Sequence, residues 1–241
     1  MIDKKNNIKM KKAFLFLAMA ATLLASCDKD DNKPDNPTPE PESAVEWVDL
    51  GLPSGLLWAK CNLGATAPEE YGDYFAWGET TTKEVYNWST YRYCTAEGDS
   101  LLTLTKYNTS EAYGTVDSLT TLEAADDAAT VILGGGARIP TSDEWKELRE
   151  NTTLEWTTQN GVAGRLLTGP NGNTLFLPAA GGYSDSALYS TGVIGYYWTA
   201  TLSESHSEGA RIFYFREEEI RLNVRTGRFS GISVRPVKAN R

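Results

Sequence analysis

Arg138-Ile139-Pro140-Thr141-Ser142-Asp143-Glu144-Trp145-Lys146-Glu147-Leu148 carries the clearest helix signal in a chain of 241 residues. Thr141 and Glu144 have the spacing of a capping box. The hydroxyl accepts from the Glu144 N–H, and the carboxylate accepts from the Thr141 N–H. Asp143 and Glu144 lie at the positive end of the helix dipole, with Lys146 and Arg149 further along. Trp145 and Leu148 are three apart and share one face, so the helix is pinned to a core by few side chains. Pro140 is placed to pack on Trp145 as a hydrophobic staple.

Downstream of this helix the pattern turns to strands. Thr153 to Thr158, Val162 to Thr168 and Thr174 to Leu177 predict a meander, with Asn160-Gly161 as a strong hairpin turn. Ala179 to Tyr183 leads into a polar loop. Gly195 to Thr201, Ala210 to Arg216, Ile220 to Val224 and Phe229 to Val237 complete the strands, with a last turn at Arg225 to Arg228. Upstream, Val45 to Leu50 and Leu56 to Asn62 predict strands around the turn Leu52-Pro53-Ser54-Gly55. Thr66-Ala67-Pro68-Glu69 reads as a second capping box opening a short helix that Gly72 ends. Asp73 to Trp77 predicts a strand. Thr95 to Leu119 is irregular, and Leu122 to Leu133 predicts a short helix stopped by Gly134-Gly135-Gly136. No fixed-period repeat is present, which argues against a solenoid or propeller.

Between Tyr71 and Tyr93 stand eight aromatics: Tyr71, Tyr74, Phe75, Trp77, Tyr86, Trp88, Tyr91 and Tyr93. A loop-rich core filled by large rings fits this density, and so does a stacking platform for a sugar or peptide. In the second reading Trp77, Tyr86, Trp88, Tyr91 and Tyr93, with Tyr183 and Tyr189, form the ligand-binding set.

Residues 1–27 read as a targeting segment. A lysine-rich start precedes an apolar run from Ala13 to Leu24, too short to span a bilayer stably. Leu24-Ala25-Ser26-Cys27 resembles a bacterial lipobox, with Cys27 as the lipidated residue. Asp28-Lys29-Asp30-Asp31 resembles the acidic signal that sends lipoproteins of some anaerobic Gram-negative bacteria to the outer face of the outer membrane. Residues 28–44, rich in Pro, Asp and Glu, predict an extended spacer, and residues 45–241 one domain. The whole chain carries a net charge of −9. Residues 1–26 hold five Lys and one Asp, so their removal leaves 18 basic and 31 acidic residues, net −13. That balance argues against nucleic acid or an anionic membrane surface as partner, leaving the lipid as the only membrane contact. With Cys27 lipidated, Cys61 and Cys94 are expected to pair as a disulfide in an oxidising envelope, worth roughly 3 kcal/mol.

Catalytic sets are mostly missing. His206 is the only histidine, which leaves no base with its own orienter and no His-based zinc site. Gly134-Gly135-Gly136 lacks the Lys and Ser or Thr of a phosphate loop. Glu69-Glu70, Asp126-Asp127 and Glu217-Glu218-Glu219 read as solvated faces. No cofactor is expected; a structural calcium held by loop carboxylates and carbonyls stays open, without a full ligand motif.

Val48-Asp49-Leu50-Gly51-Leu52-Pro53-Ser54-Gly55-Leu56-Leu57-Trp58-Ala59, Asn62-Leu63-Gly64-Ala65 and Tyr71-Gly72-Asp73-Tyr74-Phe75-Ala76-Trp77-Gly78-Glu79 stand in order. They are followed by Arg138-Ile139-Pro140-Thr141, Glu144-Trp145, Gly195-Tyr196-Tyr197-Trp198-Thr199 and Ser233-Val234-Arg235-Pro236-Val237. Together these blocks resemble the Fibrobacter succinogenes major paralogous domain of envelope lipoproteins, over nearly all of residues 45–238. That domain is similar to the formylglycine-generating, sulfatase-modifying fold. The resemblance implies a C-type-lectin-like α+β architecture with two or three short helices, antiparallel strands and long loops. The enzyme's reactive cysteine pair has no counterpart, since nothing after Cys94 is a cysteine. The expectation is therefore a non-catalytic, surface-exposed outer-membrane lipoprotein whose lectin-like domain binds a glycan or a surface protein. A structural or adhesin subunit of a surface assembly is the alternative, and an enzyme of unrecognised type the next. Asp99-Ser100-Leu101, Asp117-Ser118-Leu119 and Asp185-Ser186-Ala187 resemble O-glycosylation acceptors of the same bacterial group.

Overall fold

Alternating side chains give the domain its plan. Tyr197 and Trp198 are adjacent on one strand, as are Ile212 and Phe213 on the next, and successive residues of a strand point to opposite faces. Each pair therefore feeds two cores. One contains Phe75, Trp77, Trp198, Ile212 and Ile232; the other contains Trp58, Trp145, Leu148, Tyr197, Phe213 and Phe215.

The computed structural model describes residues 45–95 and 102–240. Cys27, residues 1–27, the spacer 28–44 and Asp99-Ser100-Leu101 lie outside the described residues. In chain order the elements are β1 (Trp47–Asp49), β2 (Leu57–Ala59), β3 (Tyr74–Phe75), β4 (Cys94–Thr95), β5 (Thr103–Leu104), α1 (Ala128–Leu133) and α2 (Ser142–Asn151). Then come β6 (Thr153–Gln159), β7 (Val162–Thr168), β8 (Thr174–Pro178), β9 (Gly182–Ser184) and β10 (Ala187–Tyr189). The last are β11 (Ile194–Leu202), β12 (Gly209–Arg216), β13 (Glu219–Gly227), β14 (Ile232–Ser233) and β15 (Val237–Lys238). The architecture is mostly β, with two short α-helices among the described residues.

A five-stranded sheet in the order β13-β12-β11-β14-β3 separates the two cores, with β11 and β14 parallel and the other pairs antiparallel. The expected meander is present as β6-β7-β8, and β1, β2 and β15 form a third sheet. On one side α2 packs through Trp145, whose ring stacks on Phe213 at 4.5 Å and meets Trp58 edge-on at 4.8 Å. Both halves of the capping box form: Glu144 N–H donates to Thr141 Oγ1 (3.3 Å), and Thr141 N–H donates to Glu144 Oε2 (2.8 Å). Arg138 adds two bonds to the same carboxylate, at 2.7 and 2.5 Å. Glu144 is thereby held below the usual carboxylate range, these bonds outweighing the upward push of its burial.

Two buried arginines tie the C-terminal segment down, and among the described residues neither is paired with a carboxylate. Arg235 donates to Asn62 Oδ1 and to the carbonyls of Ala59, Lys60 and Phe176. Arg228 donates to the Tyr91 hydroxyl and to the carbonyls of Tyr107, Ser207 and Lys106. The planar guanidinium has five donors, and in each arginine backbone carbonyls take three of them.

Several local expectations need correction. Thr66 to Glu69 forms turns, with no helix, and Glu70 is the residue that accepts from the Thr66 and Ala67 N–H groups. Glu69 turns instead to Gln159 and Asn160. The segment after Ala179 is no simple loop but the β9–β10 hairpin, turned at Asp185 with φ +51°. Leu122 to Leu133 is broken into a 3-10 turn at Ala124–Asp126 and α1, because Asp127 caps the latter by accepting from Thr130 N–H (3.0 Å). Asp126 and Asp127 are buried, not solvated.

Candidate functional site

Most of the aromatics singled out in the sequence belong to the core. Trp77, Tyr86, Tyr91 and Tyr93 are buried, and each polar tip is used internally. Trp77 Nε1 donates to the Thr199 carbonyl (2.8 Å), Tyr86 OH to the Tyr74 carbonyl (2.5 Å), Tyr91 OH to the Trp77 carbonyl (2.7 Å) and Tyr93 OH to Asp126 Oδ1 (2.5 Å). They are therefore no ligand surface. Arg228 sits between the rings of Trp77 and Tyr91, at 5.2 Å from each. Trp88 is half-buried against Tyr91 and Phe229, and Tyr183 stacks on Tyr86 at 5.6 Å.

Beneath them Asp126 gathers three donors: the hydroxyls of Tyr93 and Tyr107 and the ammonium of Lys106. Burial alone would raise its pKa, but these bonds hold it below the usual carboxylate range. The Tyr107 hydroxyl is pushed up to about 12, chiefly by burial. The cluster ties three loops together and is closed to a ligand.

The disulfide is not formed. Cys61 follows β2, Cys94 lies in β4, and both are free, half-buried thiols. Each feels the positive charge of a different buried arginine, Cys61 that of Arg235 and Cys94 that of Arg228. Burial pushes both thiols up, the reverse of what an activated nucleophile needs.

Tyr189 leads to the arrangement that remains. On β11 and β12, Tyr196 and Tyr214 stand opposite each other in register, and Arg221 of β13 stands opposite Tyr214. Tyr189 on β10 meets Tyr196 with ring centroids 5.9 Å apart at 61°, and Tyr196 meets Tyr214 at 5.6 Å and 57°. The Arg221 guanidinium lies 5.7 Å from the Tyr214 ring. The three half-buried tyrosines form a ladder across three strands, with Tyr196 and Tyr214 at the margin of the first core. None of their hydroxyls makes a hydrogen bond among the described residues. Burial raises the Tyr189 hydroxyl and pushes Tyr196 up to about 12, so both stay neutral at any physiological pH. Gly181, bridged to Gly195 at the start of β11, holds the β9–β10 hairpin here; its φ is +63°, and a Cβ would fall 2.0 Å from the Tyr189 carbonyl.

Only Tyr189 of the ladder was among the expected residues. Tyr196 and Tyr214 carry a faint signal: each is the amphipathic residue at an outer position between strand neighbours that are wholly apolar or buried. Two concavities stand out among the described residues. A cleft of about 200 Å³ is bordered by Lys60, Cys61, Thr66 and Leu133, with Lys60 paired to Glu46 at 2.6 Å. A slot of about 230 Å³ lies by Trp156, Val193, Arg216, Glu217 and Glu218. Among the described residues no three His, Cys, Asp or Glu side chains converge on a metal position. His206 is exposed, and its ring bonds to a hydroxyl, with Nδ1 2.7 Å from Ser205 Oγ. Among the described residues no helix is long and apolar enough to cross a membrane.

Compared with protein-family models, curated proteins and solved structures, the chain matches none.

Proposed function

We propose that this chain is a non-catalytic, ligand-binding lipoprotein, anchored through Cys27 on the outer face of the outer membrane. Residues 45–241 form its lectin-like domain, of the sulfatase-modifying type, and the ligand is an extracellular glycan or protein. The observation that carries the reading is the ladder of Tyr189, Tyr196 and Tyr214: half-buried rings with hydroxyls left over. The buried tyrosines in the core of this domain bond to carbonyls, whereas these three hydroxyls reach the solvent. Three adjacent rings, packed on one another with their hydroxyls open to solvent, leave both apolar area and hydrogen-bonding capacity for a ligand. Against catalysis stand the missing cysteine pair and two thiols that burial makes less acidic.

The test combines two variants of the full chain. Tyr196→Ala with Tyr214→Ala should abolish capture of glycans and surface proteins by the purified protein, with the near-ultraviolet circular dichroism retained. Undiminished capture refutes the ladder as the binding face. Cys27→Ala should release the protein from the membrane fraction of the cells that make it, and retention there sinks the anchor.

A structural or adhesin subunit is the second reading, and α1 favours it. Val131 and Ile132 are neighbouring apolar side chains with 52% and 48% of their surface exposed. Co-purification of a stoichiometric partner that is lost in Val131→Ser/Ile132→Ser would select this reading.

A further inference from the structure

The tyrosine ladder, in the binding role proposed for it, also selects a chemical class of ligand. We infer that it takes an uncharged, linear oligosaccharide lying across β10, β11 and β12, with successive sugar rings against Tyr189, Tyr196 and Tyr214. This class of ligand rests on that binding role and falls if the ladder binds nothing.

Geometry gives the first argument. Centroids 5.9 and 5.6 Å apart are spaced like successive rings of an extended sugar chain. The tilts of 61° and 57° keep the three from forming one flat plate and give a stepped row of ring edges and faces. A pyranose has an apolar C–H face and a rim of hydroxyls, the same combination that a half-buried tyrosine offers from the other side. The tyrosine hydroxyls both donate and accept, as sugar hydroxyls do.

Charge gives the second. The cations beside the ladder are Arg216 and Arg221, and both turn to Glu219, at 3.3 and 2.5 Å. The hairpin next to them adds Glu217 and Glu218, both exposed. Two arginines set against three glutamates leave the local balance negative, and the net charge of −9 also disfavours an acidic polymer. A peptide adding to the sheet would need an open strand edge, whereas the ladder runs across strands and offers side chains alone.

The experiment uses the full-length protein on an array of linear oligosaccharides, with neutral glucans, mannans and xylans beside oligogalacturonates and sulfated chains of matched length. Hits are then measured by titration calorimetry at low and high salt. The expected result is binding to a neutral chain, insensitive to salt, and lost in Tyr196→Ala. Tyr196→Phe and Tyr214→Phe, which keep the rings and the fold, should each weaken it about tenfold through one lost hydrogen bond. Binding confined to oligogalacturonate or sulfated chains, and falling with salt, overturns the neutral class but leaves the ladder as the binding face. Ladder-dependent capture of a protein with no sugar bound overturns the inference in the same way. No ligand of any kind that depends on the ladder overturns both.

Discussion

Asp126→Asn should destabilise this domain strongly, because three donors converge on its carboxylate. The carboxylate is 4% exposed and accepts from Tyr93 OH (2.5 Å), Tyr107 OH (2.6 Å) and Lys106 Nζ (2.5 Å). The amide keeps one acceptor oxygen and turns the other position into a donor that faces existing donors. At least one buried hydroxyl loses its partner, and the Lys106 ammonium loses the buried half of its ion pair with Asp126 and Glu123. A hydrogen bond to a charged group contributes roughly 1.5–3 kcal/mol, so the variant should be destabilised by about 3 kcal/mol at pH 7. For a domain of this size that corresponds to a fall in Tm of roughly 6–12 °C. The pH dependence has a definite sign. Asp126 is depressed in the fold, so its contribution is complete above the pKa of the unfolded chain and is lost as pH falls through the folded value. From about pH 5 downward the gap between wild type and variant should narrow. Guanidinium unfolding followed by tryptophan fluorescence, in steps from pH 7 to pH 3, measures it. Equal stability at pH 7, or a gap that does not change with pH, refutes the assignment of Asp126 as the hub of this cluster.

Other consequences are simpler. Trp145→Ala empties the space between Phe213 and Trp58 and should cost about 3–5 kcal/mol, read by the same unfolding curve. Thr141→Ala removes half of the capping box and should cost about 1 kcal/mol; no change would mean that Arg138–Glu144 alone sets the helix start. Cys61→Ser with Cys94→Ser should shift Tm far less than the loss of a roughly 3 kcal/mol disulfide would, and both thiols should react with a thiol reagent in denaturant without reductant. Gly181→Ala meets the Tyr189 carbonyl at 2.0 Å, so it should destabilise by at least about 1–3 kcal/mol and displace Tyr189, visible as a loss of ligand binding.

The features legible in the sequence are local ones. The capping box of α2, the Asn160-Gly161 hairpin and the glycine stop after Leu133 all depend on residues within a few positions of one another. Thr66 shows the limit of that logic: Glu69 has the capping spacing, but the distant Asn160 and Gln159 take its carboxylate and Glu70 does the capping. The aromatics fail for a related reason. Trp77 and Tyr196 have the same amphipathic chemistry, and only the partners across the fold separate one whose polar atom is bonded inside the protein from one whose polar atom faces solvent. Likewise Asp126-Asp127 looks like a charged surface run until Tyr93, Tyr107 and Lys106 arrive from elsewhere in the chain. Arg228 and Arg235 give no signal of burial, because their partners are mostly backbone carbonyls, which every residue has.

The place of β14 and β15 bears on how the chain reaches this state. Ile232 pairs with Phe75 in the interior of the five-stranded sheet, and Val237 pairs with Trp58. The segment from Ile232 to Lys238 is thus needed to join β3 to β11 and to complete the sheet that β1 and β2 begin. The β1–β2 and β6–β7–β8 pairings are local, whereas these two closures must wait for that segment. Pairings this distant in sequence carry a large loop-closure cost and make folding slow. The segment from Ile232 onward therefore acts as a clasp, since closing it joins elements from the two ends of the domain at once.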